Sequence, residues 1–336
     1  MKKSYYLFNP GKMSRKDNTL KFTLLDEEGK EKESRYIPVE GTEDIFIFGS
    51  LEANSALYNF LGKNKIAVHF FDYYEHYTGS FQPKEYLLAG KVIIAQTKVF
   101  LDKQTRLNTA QKFIQGAVGN ILKNLKYYNS ESRGKNLQTE IDTIESLSLQ
   151  IESAKDVQEL MGIEGNIRQV YYKGFNEIVN DFVMGNRTKR PPANEVNAMI
   201  SFGNSLCYAA VLSNIYHTQL NPTISFLHEP GERRFSLALD ISEVFKPIIT
   251  DRVIFKLLNK KVIQEKDFSH ELNGCYLKES GRKEFVKAFE ERLNETIEHR
   301  ELKRKVSYKH LIKLECYKIV KHVMGIREYK PFKIWW

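Results

Sequence analysis

One change of hydrophobic period, near Pro83, limits what this chain can fold into more than any other feature. Ahead of it the apolar residues alternate. "TLKFTLL" (19–25) reads as a strand, "DEEGKEKES" as a polar turn and "RYIPV" as the returning strand, together a hairpin signal. "DIFIFGS" (44–50) and "KIAVHFFDYY" (65–74) are further strand-like runs. Between them, "ANSALYNFLGKN" (53–64) puts Ala56, Leu57, Phe60 and Leu61 at helical spacing, with Gly62 expected to end a short helix. From Glu85 to Tyr128 the spacing becomes that of long helices. Residues 129–150 are polar and read as a connector or an amphipathic helix. Ser153 with Asp156 fits a capping box, Gly162 is expected to break the helix that follows, and Ile163, Ile167, Val170, Tyr171, Ile178 and Phe182 share a helical face. A basic loop, "GNRTKRPPANE" (185–195), precedes renewed helical spacing in "VNAMISFGNSLCYAAVLSNIY". The expected class is α+β in two domains, a small β domain over 1–83 and a larger all-α domain over 84–336.

Size agrees with that division, since 336 residues exceed the ~100–200 of one ordinary domain. The chain is 42% hydrophobic, which excludes global disorder. Its net charge of +9, from 51 Lys+Arg against 42 Asp+Glu, suggests a polyanionic partner. Three cysteines, Cys207, Cys275 and Cys316, form no C-x-x-C pair, which argues against a cysteine-based zinc site and for a reducing compartment. No run approaches ~18 consecutive apolar residues, and Met1-Lys2-Lys3 leads into no signal-like segment. The expectation is a soluble, cytoplasmic protein without a membrane segment.

The chemistry concentrates in "SFLHEPGERRFSLALDISEVFKP" (225–247). On a helix starting near Ser236, Asp240 and Glu243 lie three apart and are neighbours on one face. The stripe of Ile241, Val244, Phe245 and Ile248 puts both acids on its shoulder. Two carboxylates ~5 Å apart repel by roughly 3 kcal/mol at an effective dielectric of ~20. A divalent ion would offset this, with oxygen ligands suiting magnesium or manganese and His228 adding an imidazole. The crowding also predicts that deleting one acid relieves strain in the metal-free protein. From spacing alone, ordinary ion pairs to Arg233, Arg234 or Lys246, and a hydrogen-bonded core histidine, account for the pattern better than a metal does.

Glu164, between Gly162 and Gly165, is a further candidate, since glycines allow a ligand to approach closely. Its ordinary explanation is an acid favoured near a helix start. Arg187, Lys189 and Arg190, with Arg233 and Arg234, are candidate DNA contacts. Residues 301–336 hold ten Lys+Arg against three Asp+Glu, interleaved with Tyr308, Tyr317, Tyr329, Phe332, Trp335 and Trp336. Such a tail can follow phosphates and stack on bases, or be a solvated helix with a frayed end. The residues alone lead to a metal-dependent enzyme acting on nucleic acid.

"LMGIEGNIRQVYY", "NAMISFGNSL", "LNPTISFLHEPGERRFSLALDISEVFKP" and "DRVIF" occur in the order found in the CRISPR-associated protein one family, the CRISPR adaptation integrases. "YYLFNPGKMSRKDNTLKF", "RYIPVE", "IFIFGS" and "IAVHFFDYYEHYTGSFQP" resemble that family's N-terminal domain, so the likeness spans nearly the whole chain. It is nearest the type I-B branch. "QLNP" (219–222) departs from the family's frequent "GLDP" and leaves the ligand positions intact.

The resemblance implies an N-terminal β-sandwich that forms a homodimer, and a C-terminal helical catalytic domain. It carries Glu164, His228 and Glu243 over as metal ligands, with Asp240 as a fourth catalytic acid. It implies manganese or magnesium, double-stranded and branched DNA, and a small ferredoxin-like partner protein. The implied reaction is transesterification, in which a 3′-hydroxyl of a short duplex attacks a phosphodiester of the repeat array; with water the same site is an endonuclease. The alternative is a non-catalytic DNA-binding scaffold of the same fold.

Overall fold

The computed structural model describes residues 2–83, 87, 89–231, 235–271 and 273–335. The chain divides into two compact units, Met1–Leu88 and Ala89–Trp336. The first contains β1 (Lys3–Leu7), β2 (Gly11–Lys16), β3 (Thr19–Leu25), β4 (Glu31–Pro38), β5 (Thr42–Ile47), β6 (Leu51–Glu52), α1 (Ser55–Lys63), β7 (Ala67–Phe71) and β8 (Tyr77–Phe81). They form two four-stranded sheets, ordered β1-β5-β7-β8 and β4-β3-β2-β6. In the first, β1, β5 and β7 run parallel and β8 antiparallel.

Alternation in these strands sends one set of side chains inward. Met13, Leu20, Phe22 and Ile37 of one sheet meet Ile45, Ile47 and Val68 of the other, together with Leu57, Phe60 and Leu61 of α1. The result is sandwich-like. The opposite face of β5 builds an aromatic ladder, with Tyr6 stacked on Phe46 at 4.6 Å and Phe48 on Phe71 at 4.5 Å. Asn54 caps α1 by accepting from the Leu57 N–H at 3.0 Å, and the helix ends at Lys63, one residue past Gly62. The polar turn is shorter than its sequence suggests, because Glu31–Ser34 already belong to β4, an edge strand whose charged side chains face solvent.

The second unit contains α2 (Gly90–Leu101), α3 (Lys103–Tyr128), α4 (Gln138–Ser148), α5 (Val157–Ile178), α6 (Glu195–Tyr216), α7 (Ser236–Phe245), α8 (Arg252–Asn259), β9 (Phe268–Glu271), β10 (Gly274–Leu277), α9 (Glu279–Asn294), β11 (Thr296–His299), β12 (Arg304–Ser307) and α10 (Tyr308–Val323). The unit is helical with two short hairpins, β9–β10 and β11–β12, so it is not purely α. By length and composition alone α6 is apolar enough to cross a membrane, with mean hydropathy 1.2, but 78% of that stretch is buried inside the fold. It is a core helix.

Two features of the helices depart from their sequence pattern. α5 runs unbroken through Gly162 and Gly165, and a Cβ at either would meet nothing within 4 Å, so both glycines face open space beside Glu164. Its cap is Asp156, whose Oδ1 accepts from the Glu159 N–H at 2.8 Å, while Glu159 accepts from the Lys155 N–H. Ser153 plays no part in that cap, and Phe182 lies beyond the helix end. The second departure is at Pro247. α7 continues through a π-helical turn, Pro247–Asp251, into α8, because the Asp251 N–H reaches back five residues to Lys246 O at 3.0 Å. Pro247 donates no N–H, and α3 supplies donors to neighbouring carbonyls: Asn120 donates to Val244 O at 2.8 Å and Asn124 to Pro247 O at 2.5 Å.

Candidate active site

His228 stands on the loop between α6 and α7, which is gripped from two helices. Gln96 of α2 donates to Asn221 O and Ile224 O, at 2.9 and 2.6 Å, and accepts from the Asn221 N–H. Arg106 of α3 donates to Phe226 O at 3.0 Å and pairs with Glu229 at 2.6 Å. The loop then closes on Asp240. Its Oδ2 accepts from the N–H groups of Phe226 and Leu227, at 2.7 and 3.0 Å, and its Oδ1 from the His228 N–H at 2.9 Å. The same Oδ1 lies 2.9 Å from His228 Nδ1. Asp240 is therefore fully buried and committed to four donors, not poised on the shoulder of an apolar stripe. It holds the ring with Nδ1–H inward and leaves Nε2 as the nitrogen available to a ligand.

Glu243 lies one turn further along α7, also buried. Lys246, three residues on, binds its Oε1 at 2.5 Å, so the ordinary ion pair considered from sequence exists. Arg168 of α5 binds its Oε2, and through Nε it also binds Glu164 Oε1 at 3.0 Å. One guanidinium thus bridges the two glutamates. Burial alone would raise the Glu243 pKa, but Lys246, Arg168 and His228 outweigh it and hold the carboxyl far below its ordinary range. Burial likewise works against protonated His228, and its Asp240 hydrogen bond with the charges of Asp240 and Glu243 overcomes this, raising its pKa. His228 and Glu243 are close enough to feel one another's charge.

Sequence reasoning missed two participants. Arg168 was available as the residue four after Glu164 on one helix face. Asp251 had no such signal, because the π turn rotates it inward: its Oδ2 accepts from the Tyr171 hydroxyl at 3.0 Å. Burial pushes its carboxyl up to about 6, against Arg168 and the Tyr171 bond.

The basic candidates separate. Arg187 is spent inside the fold, donating to Thr188 O, to Asn197 Oδ1 at 3.0 Å and to Ser201 Oγ at 3.1 Å. Lys189 and Arg190 are exposed. Desolvation and the cations Arg187 and Lys246 lower the Lys189 pKa, with Glu243 and Glu164 opposing, so this amine lies within electrostatic reach of the acids. Arg233 and Arg234 lie outside the described residues. Three of the six aromatics of the basic tail, Tyr308, Tyr329 and Phe332, are buried and so do not stack on bases, while Tyr317 is partly buried. Buried Glu315 organises the end of the tail, accepting from the Tyr329 hydroxyl at 2.6 Å and the Phe332 N–H at 2.9 Å. Trp335 is partly buried, and Trp336 lies outside the described residues.

A sandwich-like β unit, followed by a helical unit that gathers two glutamates and an aspartate-anchored histidine beside basic residues, defines a class of α+β proteins with a carboxylate–imidazole site. Within that class the chain belongs to the CRISPR associated protein Cas1 family, whose model matches residues 5–291. It is 49% identical to a CRISPR-associated protein Cas1 of Methanobrevibacter ruminantium, covering 100% of this chain and 99% of the relative. It is 46% identical to a CRISPR-associated endonuclease Cas1 of Fusobacterium nucleatum, covering 100% and 98%. Among solved structures, a CAS1 protein from Thermotoga maritima matches with a TM-score of 0.86 at 39% identity, covering 97% of this chain and 98% of that one. A casposase bound to integration product shares the fold, with a TM-score of 0.84 at 22% identity over 99% and 93% of the two chains.

Proposed function

We propose that this chain is a metal-dependent DNA endonuclease and integrase of CRISPR adaptation, inserting short duplexes into a repeat array by transesterification. Kinship with proteins named CRISPR-associated endonuclease Cas1 supports the reaction class. The observation that carries the site assignment is the fourfold use of Asp240, which anchors His228 by Nδ1 and leaves Nε2 for a ligand, with Glu243 near enough to act on the ring's charge.

The donor types suit a divalent ion, since two carboxylates and one imidazole nitrogen match manganese or magnesium. Among the described residues the ligand atoms of Glu164, His228 and Glu243 do not all lie within 4.8 Å of one another, and the Arg168 guanidinium stands between the glutamates, so an ion would draw the three side chains together and displace Arg168. Glu164, His228 through Nε2, and Glu243 would hold the ion, which supplies Lewis-acid polarisation of a phosphoryl oxygen when bound. The protein's own residues prepare this chemistry. Arg168 and Lys246 keep Glu243 ionised, so it needs no proton loss to become a ligand. Asp240 acts through His228 as a positioning residue. The open face of α5 at Gly162 and Gly165 leaves room for a nucleic-acid strand beside Glu164, and Lys189 and Arg190 supply positive charge for its phosphates. In the reaction one P–O bond forms to the incoming 3′-oxygen as another breaks, so no external energy is needed.

The first unit is the homodimer contact in this reading, and the small ferredoxin-like protein joins integrase dimers. A DNA-binding scaffold is the competing reading, favoured only by the pairing of Glu243 with Lys246 and Arg168. Incubating the purified chain with branched DNA separates the two. The integrase cleaves with manganese, not with chelator, and His228→Ala abolishes cleavage while retaining DNA. Equal DNA retention with no cleavage by the wild type in any divalent ion would leave the scaffold.

A further inference from the structure

A second set of ligand atoms stands on different elements. Glu195 opens α6, His270 lies on β9 and Cys275 on β10, and the hairpin register sets His270 directly opposite Cys275. One ligand atom from each residue lies within 4.8 Å of the other two, the one such group among the described residues. His270 Nε2 is 3.2 Å from Glu195 Oε1. The group has an inside and an outside: Cys275 is fully buried, while the His270 side chain is 60% exposed and that of Glu195 19%.

A histidine–glutamate ion pair explains two of these residues and leaves the thiol unexplained. A cation that accepts all three groups accounts for the thiol as well. Thiolate with imidazole and carboxylate is a softer set than the two glutamates and histidine of the candidate active site, and it selects zinc over manganese or magnesium. Tetrahedral zinc, with bonds of ~2.0–2.3 Å, spaces its ligand atoms by roughly 3.3–3.8 Å, so the His270–Glu195 pair is already at that spacing and the other pairs need to close by at most ~1.5 Å.

We propose that Glu195, His270 and Cys275 form a zinc site, with the fourth position open to water on the His270 side. On binding, the Cys275 thiol proton leaves to solvent as the sulfur–zinc bond forms. Spacing in the sequence argued against zinc because no two cysteines stand near each other; the ligands come instead from a helix start and two strands 75 or more residues downstream. The site ties the hairpin to the basic loop. The Cys275 N–H donates to Pro192 O at 2.8 Å, and a Cβ on Gly274 would come within 2.7 Å of the Pro191 side chain. Zinc here pins the loop that carries Lys189 and Arg190. The inference does not rest on the proposed function, because it uses none of the same ligands.

Cobalt substitution tests it. The full chain, stripped with chelator and titrated with Co²⁺, should show a thiolate-to-cobalt charge-transfer band that saturates at about one equivalent and disappears on adding zinc. Cys275→Ser should lose the band. His270→Ala, at an exposed position that the fold tolerates, should weaken the uptake that saturates the band by tenfold or more, about the loss expected for one ligand. Glu164→Ala should leave it unchanged. No band in the wild type, a band that survives Cys275→Ser (and so belongs to Cys207 or Cys316), or one that His270→Ala leaves intact would overturn the proposal.

Discussion

Replacing Asp240 with asparagine keeps the shape of the side chain and turns one carboxylate oxygen into an amide group. Four donors now converge there, two on each oxygen. The amide oxygen can serve the N–H groups of Phe226 and Leu227. The NH2 then faces the His228 N–H and ring. Moving the ring proton from Nδ1 to Nε2 lets Nδ1 accept from the amide, so one hydrogen bond is rescued. The His228 backbone N–H stays unsatisfied, at a cost of about 1–3 kcal/mol. That lowers Tm by roughly 2–4 °C per kcal/mol for a unit of this size. The functional consequence is larger. With its proton on Nε2, His228 no longer offers a lone pair to a metal, and affinity should fall by at least ~10–100-fold. Manganese titration calorimetry on folded Asp240→Asn measures the affinity, and nitrogen NMR of the histidine rings identifies the protonated atom. A variant that keeps Nδ1 protonated and binds manganese as tightly as wild type would refute the reasoning. Asp240→Ala strands all four donors, a loss comparable to much of an ordinary ~5–15 kcal/mol folding stability.

Glu243→Ala should destabilise the metal-free protein by about 3–5 kcal/mol, because it strands buried Lys246 and leaves Arg168 with Glu164 alone. This reverses the expectation that deleting a crowded acid relieves strain, and denaturant unfolding of Glu243→Ala beside Glu164→Ala, expected to be milder, checks it. His228 has a raised pKa, so its protonation contributes stability that is complete below about pH 6.5 and fades as pH rises through the folded value. Metal uptake needs the neutral ring and runs the other way: apparent manganese affinity should weaken as pH falls through that value, and a flat profile across about pH 6–8 contradicts this. Neutralising Lys189 and Arg190 together should flatten the salt dependence of duplex binding by ~0.9 log unit per log unit of salt for each phosphate left without its cation, read by fluorescence anisotropy. An unchanged slope places the duplex elsewhere.

Local periodicity made most elements legible. β3 coincides with "TLKFTLL", and α6 and the start of α7 at Ser236 lie where apolar spacing put them. Misreadings arose where a tertiary contact overrides a local rule. The π turn at Pro247 has no local signal, since the α3 asparagines that donate to Val244 O and Pro247 O lie more than 120 residues away in sequence. Gly162 reads as a breaker, yet a single glycine costs a packed helix only ~1 kcal/mol. Asp240 reads as an acid on the shoulder of the apolar stripe because its partners are backbone N–H groups twelve to fourteen residues away, which no side-chain pattern reveals. The tail aromatics read as stacking groups because interleaved charge hides that Glu315 draws the chain back into the core.

The central claim is that Glu164, His228 and Glu243 hold one divalent ion that the reaction requires. Its most direct test measures manganese stabilisation and strand transfer on the same preparations of wild type, Glu164→Ala and Glu243→Gln. Wild-type Tm should rise with manganese by ordinary binding linkage, and the chain should join a duplex 3′-end to repeat DNA. Both variants should bind duplex DNA, lose the manganese-dependent rise and lose joining together. Joining at the wild-type rate by both variants would contradict the account.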